Sequence, residues 1–184
     1  SENYAISYPA SVTASILRAE VTDVTAPKPA GGLIYTGDPL PLVEAGASSE
    51  GTVEYSRDNI TYSAALPTET DAGDYDVWYR VRGDGNHSDL PGKKLDVQVT
   101  IARQTVTDPI IVFTPGSASY DAQEHRPAVT VMDGGGRVIS EDEYTVDYGA
   151  TDWTQAGKHT VTIADKDPAG GNYDITGKSE DFTI

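Results

Sequence analysis

The sequence predicts an all-β protein made of two tandem immunoglobulin-like β-sandwich modules. Three observations carry this. Apolar and polar residues alternate at period two in several short stretches. Gly, Asn, Asp and Pro clusters separate those stretches, and the same order of motifs occurs twice along the chain. No stretch of eleven or more residues carries an apolar stripe at helical spacing. A β-grasp-like small module, a sheet carrying one short helix, is the alternative at this size.

Taken in order, residues 1–16 match the end of the chain. Asn3-Tyr4-Ala5-Ile6, continuing to Ile16, parallels Asn172-Tyr173-Asp174-Ile175, continuing to Ile184. They are expected to be the C-terminal remnant of a preceding repeat. The first full module is expected at 17–102. There Tyr75, Val77, Tyr79 and Val81 alternate with Asp76, Trp78, Arg80 and Arg82, the signature of a half-buried strand. Leu95, Val97, Val99 and Ile101 alternate with Asp96, Gln98 and Thr100 in the same way. Turns are expected at Gly37-Asp38-Pro39, Arg57-Asp58-Asn59 and Gly83-Asp84-Gly85-Asn86. Pro27, Pro29, Pro39, Pro41, Pro67 and Pro91 discourage any long helix.

The second module is expected at 103–184, after a short linker around Thr100–Thr105. Val129 and Val131, then Tyr144, Val146 and Tyr148, then His159, Val161 and Ile163 each mark a strand. Asp133-Gly134-Gly135-Gly136 and Ala169-Gly170-Gly171-Asn172 mark turns. The two modules align through Ala72-Gly73 with Ala156-Gly157, at a spacing of 84, and through Gly85-Asn86 with Gly171-Asn172, at a spacing of 86. Thr52–Tyr55 aligns with Thr145–Tyr148, and Tyr35 with Tyr120.

Composition removes several function classes. The 184 residues carry a formal net charge of −16, which opposes binding to nucleic-acid phosphates. The charge divides as −1 over residues 1–16, −7 over 17–102 and −8 over 103–184, so neither module holds a separate acidic tail. The absence of cysteine excludes disulfides, a thiol nucleophile and thiolate metal sites. The longest strongly apolar run, Ile110–Phe113, is far too short to insert in a membrane. The chain opens on Ser1 with no signal peptide and closes on the strand-like Phe182-Thr183-Ile184, so it reads as a segment of a longer protein.

The motif order carries a resemblance. Tyr120–Glu124, Pro127–Val131, Glu143–Tyr148, Ala156-Gly157, Val161–Ile163, Gly171-Asn172-Tyr173 and Phe182–Ile184 together resemble the MBG or YDG-type repeats of bacterial cell-surface proteins, grouped with bacterial immunoglobulin-like domains. The first module looks like a sister type through Tyr35-Thr36-Gly37, Gly51–Ser56 and Asp71–Tyr75. His87 stands where the family usually has tyrosine, and Ala122 where it usually has glycine. The resemblance implies a secreted or cell-surface location, flanking repeats of the same chain as partners, and a role as spacer, stalk or adhesin. It carries no catalytic motif.

A few residues invite a sharper reading. Trp78 falls on the polar side of its strand and could stack on a sugar, although a Trp covered by a loop or neighbouring module is the commoner outcome. Trp153, in a loop, is equally open. Arg82-Gly83-Asp84 is an integrin-type tripeptide at an expected turn, yet the turn belongs to the repeat. Asp165-Lys166-Asp167 and Glu141-Asp142-Glu143 lack the order of a calcium loop, so solvated turn carboxylates are expected and no metal or cofactor is assigned. His87, His125 and His159 are scattered, and His159 falls on an apolar side. Asn59-Ile60-Thr61 and Asn86-His87-Ser88 match the glycosylation pattern, which is idle in a bacterial protein.

The expectation is a monomeric, non-catalytic spacer or adhesion repeat. The alternatives are a module that binds a glycan or host surface protein, with Trp78, Trp153, Arg82, Gly83 and Asp84 as candidate contacts, and an accessory domain of a polysaccharide-acting enzyme.

Overall fold

A computed structural model describes residues 13–184, so most of the expected remnant at 1–16 lies outside the described residues. The described chain is all-β, with no helix, which sets aside the β-grasp alternative. In its first half the strands are β1 (Lys28–Pro29), β2 (Leu33–Ile34), β3 (Leu40–Pro41), β4 (Val43–Glu44), β5 (Gly51–Ser56), β6 (Thr68–Glu69), β7 (Gly73–Tyr75), β8 (Trp78–Gly83), β9 (Leu90–Lys94) and β10 (Val99–Ala102). The second half holds β11 (Gln104–Val106), β12 (Ile110–Thr114), β13 (Ala128–Met132), β14 (Tyr144–Asp147), β15 (Lys158–Asp165), β16 (Tyr173–Ile175) and β17 (Lys178–Thr183).

These strands pair into small sheets of two or three. The three-stranded antiparallel sheets are β5-β8-β9 and β14-β15-β17. β10 lies between β2, which is parallel to it, and β7, which is antiparallel. The β11–β16 pair is parallel as well, while β12 and β13 pair antiparallel. Inward residues of facing sheets share one core, which gives each half a sandwich-like character.

Buried apolar residues fall into two clusters. One holds Val21, Leu42, Val53, Tyr55, Val77, Tyr79, Val81, Val99 and Ile101. The other holds Val129, Val131, Ile139, Tyr144, Trp153, Val161, Ile163, Tyr173, Ile175 and Phe182. Tyr35 packs against both. Each fully buried Val or Ile contributes about 1.5–3 kcal/mol relative to exposure, and the alternation puts Val161 and Ile163 at 0% exposed with Thr162 between them.

The two halves repeat backbone detail as well as sequence. Ala19 N–H donates to Asn86 O at 2.9 Å, and Gln104 N–H donates to Asn172 O at the same distance. Gly73 and Gly157, of the two Ala-Gly motifs, hold φ of +153° and +143°, a region L side chains rarely adopt, so glycine is needed in both. Gly37 (φ +80°) and Ala122 (φ +60°) also occupy equivalent left-handed positions.

The halves differ in one ladder. β15 runs unbroken and pairs with β17 over six rungs, from Lys158↔Thr183 to Ile163↔Lys178. In the first half the corresponding ladder is cut in two. The expected Tyr75–Val81 strand divides at Asp76-Val77, so that β7 joins β10 while β8 joins β9. Its partner divides as well. Leu95–Gln98 leaves the ladder, and Val97, expected inside, is 65% exposed. Asp76 holds the break, pairing with Lys94 Nζ at 2.7 Å and accepting from Gln98 Nε2 at 3.0 Å. The expected linker is also different, because Arg103 alone separates β10 from β11.

Candidate functional site

The outward row of β8 carries Trp78, Arg80 and Arg82, opposite Ser56, Glu54 and Thr52 of β5. Glu54 is only 5% exposed, a position an isolated carboxylate would not tolerate. Two guanidiniums satisfy it: Arg80 Nη2 at 2.7 Å and Arg82 Nη2 at 3.2 Å. Tyr62, from the loop above, lies with its ring centroid 4.3 Å from the Arg80 guanidinium carbon. Lys94 Nζ lies 5.4 Å from the Trp78 ring centroid, and Arg57 contacts both Glu69 and the Tyr75 ring. Trp78 is half-buried on this face. The cations that could attract an anionic ligand are committed to internal partners.

The Arg82-Gly83-Asp84 segment is committed in the same way. Arg82 turns toward Glu54. Gly83 pairs with Gly51, and a Cβ on it would collide with the His87 carbonyl. Asp84 Oδ1 accepts from Asn86 N at 2.8 Å and from His87 N at 3.0 Å, and contacts His87 Nδ1 at 2.7 Å. The Asn86 N–H bond, followed by the His87 side chain, holds the Asp84 carboxyl below its ordinary value. This is turn chemistry in each residue.

Trp153 is 2% exposed, so its indole offers no surface for stacking. The loop folds over the core because Trp153 has apolar faces to bury and one donor to satisfy, and its Nε1–H donates to Tyr148 O at 3.1 Å. Its ring lies 4.8 Å from that of His159 and 6.1 Å from that of Phe182. His159 is buried with Nε2 2.8 Å from Gln155 O, which makes that nitrogen the donor.

The acidic runs serve loops. Glu143 Oε2 accepts from Asn172 N at 3.0 Å, Asp142 pairs with Lys166 at 3.6 Å, and Asp167 Oδ1 accepts from Ala169 N at 3.3 Å. Asp165 Oδ2 accepts from Arg103 at 2.8 Å and from Ile175 N at 3.1 Å. Among the described residues no group of three or more His, Asp or Glu converges as metal ligands.

The most elaborately built place is one that sequence reasoning did not single out, the junction between the halves. The Arg103 guanidinium donates to the Asp165 carboxylate, to Asp167 O at 3.0 Å, to Pro168 O at 2.8 Å and to Tyr173 O. Tyr35 meets Tyr173 edge-on, ring centroids 5.2 Å apart at 74°. Asn172 reaches into the first half, where its Oδ1 accepts from Ala72 N at 2.7 Å and its Nδ2 donates to Asp71 Oδ1 at 3.2 Å. Burial, with the nearby Tyr35 phenol, pushes the Tyr173 phenol up, while Arg137 opposes the shift. A cleft of about 430 Å³ opens beside these residues, lined by Ile34, Tyr35, Gln104, Asp133 and Arg137. The sequence signal for the junction was present: Tyr35 and Asn172 both sit at repeat positions.

Comparison with family models, with curated proteins and with solved structures gave no match.

Proposed function

We propose that this chain is a non-catalytic pair of tandem all-β repeats, of the bacterial immunoglobulin-like kind, that acts as a spacer or adhesion segment of a secreted or cell-surface protein. One observation carries the reading. The bonds from Asn172 to Asp71 and Ala72 join two separately cored halves across a single connecting residue, Arg103. A one-residue connection with side chains bridging it restricts relative motion, the property a spacer needs. The candidate binding groups add support from the other direction, since Glu54, Asp84 and the Trp153 core already occupy them.

Small-angle scattering at infinite dilution tests this. The expected result is an extended particle of one fixed interdomain geometry that loosens in Asn172→Ala. A compact globule, or a freely jointed pair in the parent protein, would overturn it.

Half-buried Trp78 favours one other reading, a glycan-binding face. Specific signals on a glycan array that vanish in Trp78→Ala would establish it. An array silent for the parent protein would end it.

A further inference from the structure

The cleft beside the junction takes its walls from both halves: Tyr35 and Thr36 come from the first, and Gln104, Asp133, Gly135 and Arg137 from the second. Its volume of about 430 Å³ falls within the range of small-molecule sites. The Asp133–Arg137 turn, which forms one wall, lies between Tyr120 and Thr145. That interval is longer than the aligned one between Tyr35 and Thr52. The first half closes its own core without the extra length.

The turn supplies a cation that the fold leaves unpaired. Arg57, Arg80, Arg82, Arg103 and Arg126 each pair with a carboxylate. Arg137 makes no ion pair among the described residues, although the chain carries 29 acidic side chains. Its guanidinium is nevertheless held in place. It lies beside the Tyr173 phenol and against Gly37, where an added Cβ would meet Nη1 at 2.7 Å. A positioned guanidinium offers two parallel N–H donors, the fork that matches a carboxylate.

Asp133 stands at the other foot of the same turn and is 7% exposed. Its Oδ1 accepts from the Gly135 and Arg137 amides, both at 2.9 Å, and its Oδ2 accepts from Gln104 Nε2 at 3.1 Å. A carboxylate has about four acceptor sites, so Oδ2 keeps one open. The Arg137 amide, against the opposing effect of burial, holds the carboxyl below its ordinary value. Arg137 and Asp133 together sort ligands. An acceptor-only anion meets Arg137 and is repelled by Asp133. A neutral sugar can donate to Asp133 and leaves Arg137 unused. A small ring carrying both a carboxylate and hydroxyl donors satisfies the two at once. Thr36 Oγ1 accepts from the Asp38 amide, which leaves its O–H to donate, and Gln104 Oε1 is an acceptor for further hydroxyls.

We propose that this cleft binds a uronic acid, the carboxylated sugar unit of acidic polysaccharides. The carboxylate sits on Arg137, and a ring hydroxyl donates to Asp133. The inference adds a ligand to the spacer reading and does not depend on it. The spacer reading is measured by scattering on the ligand-free protein, so the two stand or fall separately.

The test is a titration of the full chain with sodium glucuronate, followed by amide NMR at Gly135 N–H and the Gln104 side chain. A ligand of this size is expected to bind at about 1 mM, so the titration runs to about 10 mM. Both signals should move and saturate. Glucose and acetate, each with half of the chemistry, should bind about tenfold more weakly. Arg137→Gln should lose about tenfold for glucuronate, and Arg137→Lys should recover only part of that. Arg137 is exposed, so the fold should survive, and thermal melts check it. The comparison of the three probes on the parent protein needs no variant. An absence of saturable movement, equal binding of glucose or acetate, or unchanged glucuronate binding in Arg137→Gln would overturn the inference. So would tighter binding of a glutamate dipeptide than of glucuronate, which would assign the cleft to a protein ligand.

Discussion

Arg103 and Asp165 are locked together at 2.8 Å, with the arginine as the only residue between the last strand of one half and the first strand of the next. The arginine side chain is 21% exposed and the aspartate 10%. Three further acceptors, all carbonyls, surround the same guanidinium. The connection between the halves is therefore fastened to the second one and does not hang as a tether.

Replacing Arg103 by Ala leaves the Asp165 carboxylate with the Asp167 and Ile175 amides but no cation, and takes a donor from three carbonyls. The expected cost in urea unfolding is about 2 kcal/mol, the scale of a hydrogen bond to a charged group. Arg103→Lys should recover only part of it, since an ammonium cannot reproduce the planar fork. Full recovery by lysine would show that charge alone matters here.

Ala122→Gly should stabilise the protein. Alanine in the left-handed region costs about 1–2 kcal/mol, and glycine returns part of that through its greater unfolded-state entropy, leaving a net gain of about 0.5–1 kcal/mol. Gly37→Ala at the equivalent turn should do the reverse, because its Cβ would also lie 2.7 Å from Arg137 Nη1. Thermal melts of the two single variants should shift in opposite directions.

Asp58 should titrate with a midpoint of about 2, against an ordinary 3.8, because the amides of Thr61 and Ile60 and the Ser56 hydroxyl all donate to it. The folded value is below the unfolded one, so the carboxylate stabilises the fold above the ordinary value, and that contribution disappears as pH falls through about 2. Carboxyl chemical shifts followed by NMR during acid titration give the midpoint directly. A value near 3.8 would mean that the turn does not hold the carboxylate.

The two tryptophans should separate by fluorescence. Trp153, at 2% exposed, should be blue-shifted and resist acrylamide, and half-buried Trp78 should be quenched. In Trp78→Phe the quenchable part should vanish. Trp153→Ala should destabilise by about 3–5 kcal/mol through the cavity it leaves. If Trp153 proves the quenchable residue, the packing described for its loop is wrong.

Much of the fold was legible in the sequence. The alternation of His159, Val161 and Ile163 with threonines set their burial directly, because period two leaves one face no access to solvent. The Ala-Gly motif was legible as a repeat, and its torsion angles supply the reason for the glycine. Val97 was not legible, because alternation continues through Leu95–Ile101 and carries no mark of where a ladder breaks; the break depends on Asp76, distant in sequence. Trp153 escaped for a related reason, since a loop aromatic has no period to show which way it faces. Among the site candidates, the sequence placed Arg82-Gly83-Asp84 at a turn but could not reveal that Glu54 and the turn's own amides already use its charges. At the junction, Tyr35 and Asn172 stood at repeat positions, but the part of Arg103 was hidden: a lone arginine between strands looks like any surface cation until its four acceptors are brought together by folding.

The single-residue connection also decides how the chain meets a protease. Cleavage requires an unpaired stretch several residues long that can extend into an enzyme cleft, and Arg103 offers none, with ladder bonds on both sides of it. The stretch from Gly116 to Glu124 does offer one: it has no strand and is almost wholly exposed. Limited digestion should therefore nick the second half internally before it separates the two. The fragments would then not coincide with the two halves, and the boundary between their cores would be the last one found by cutting.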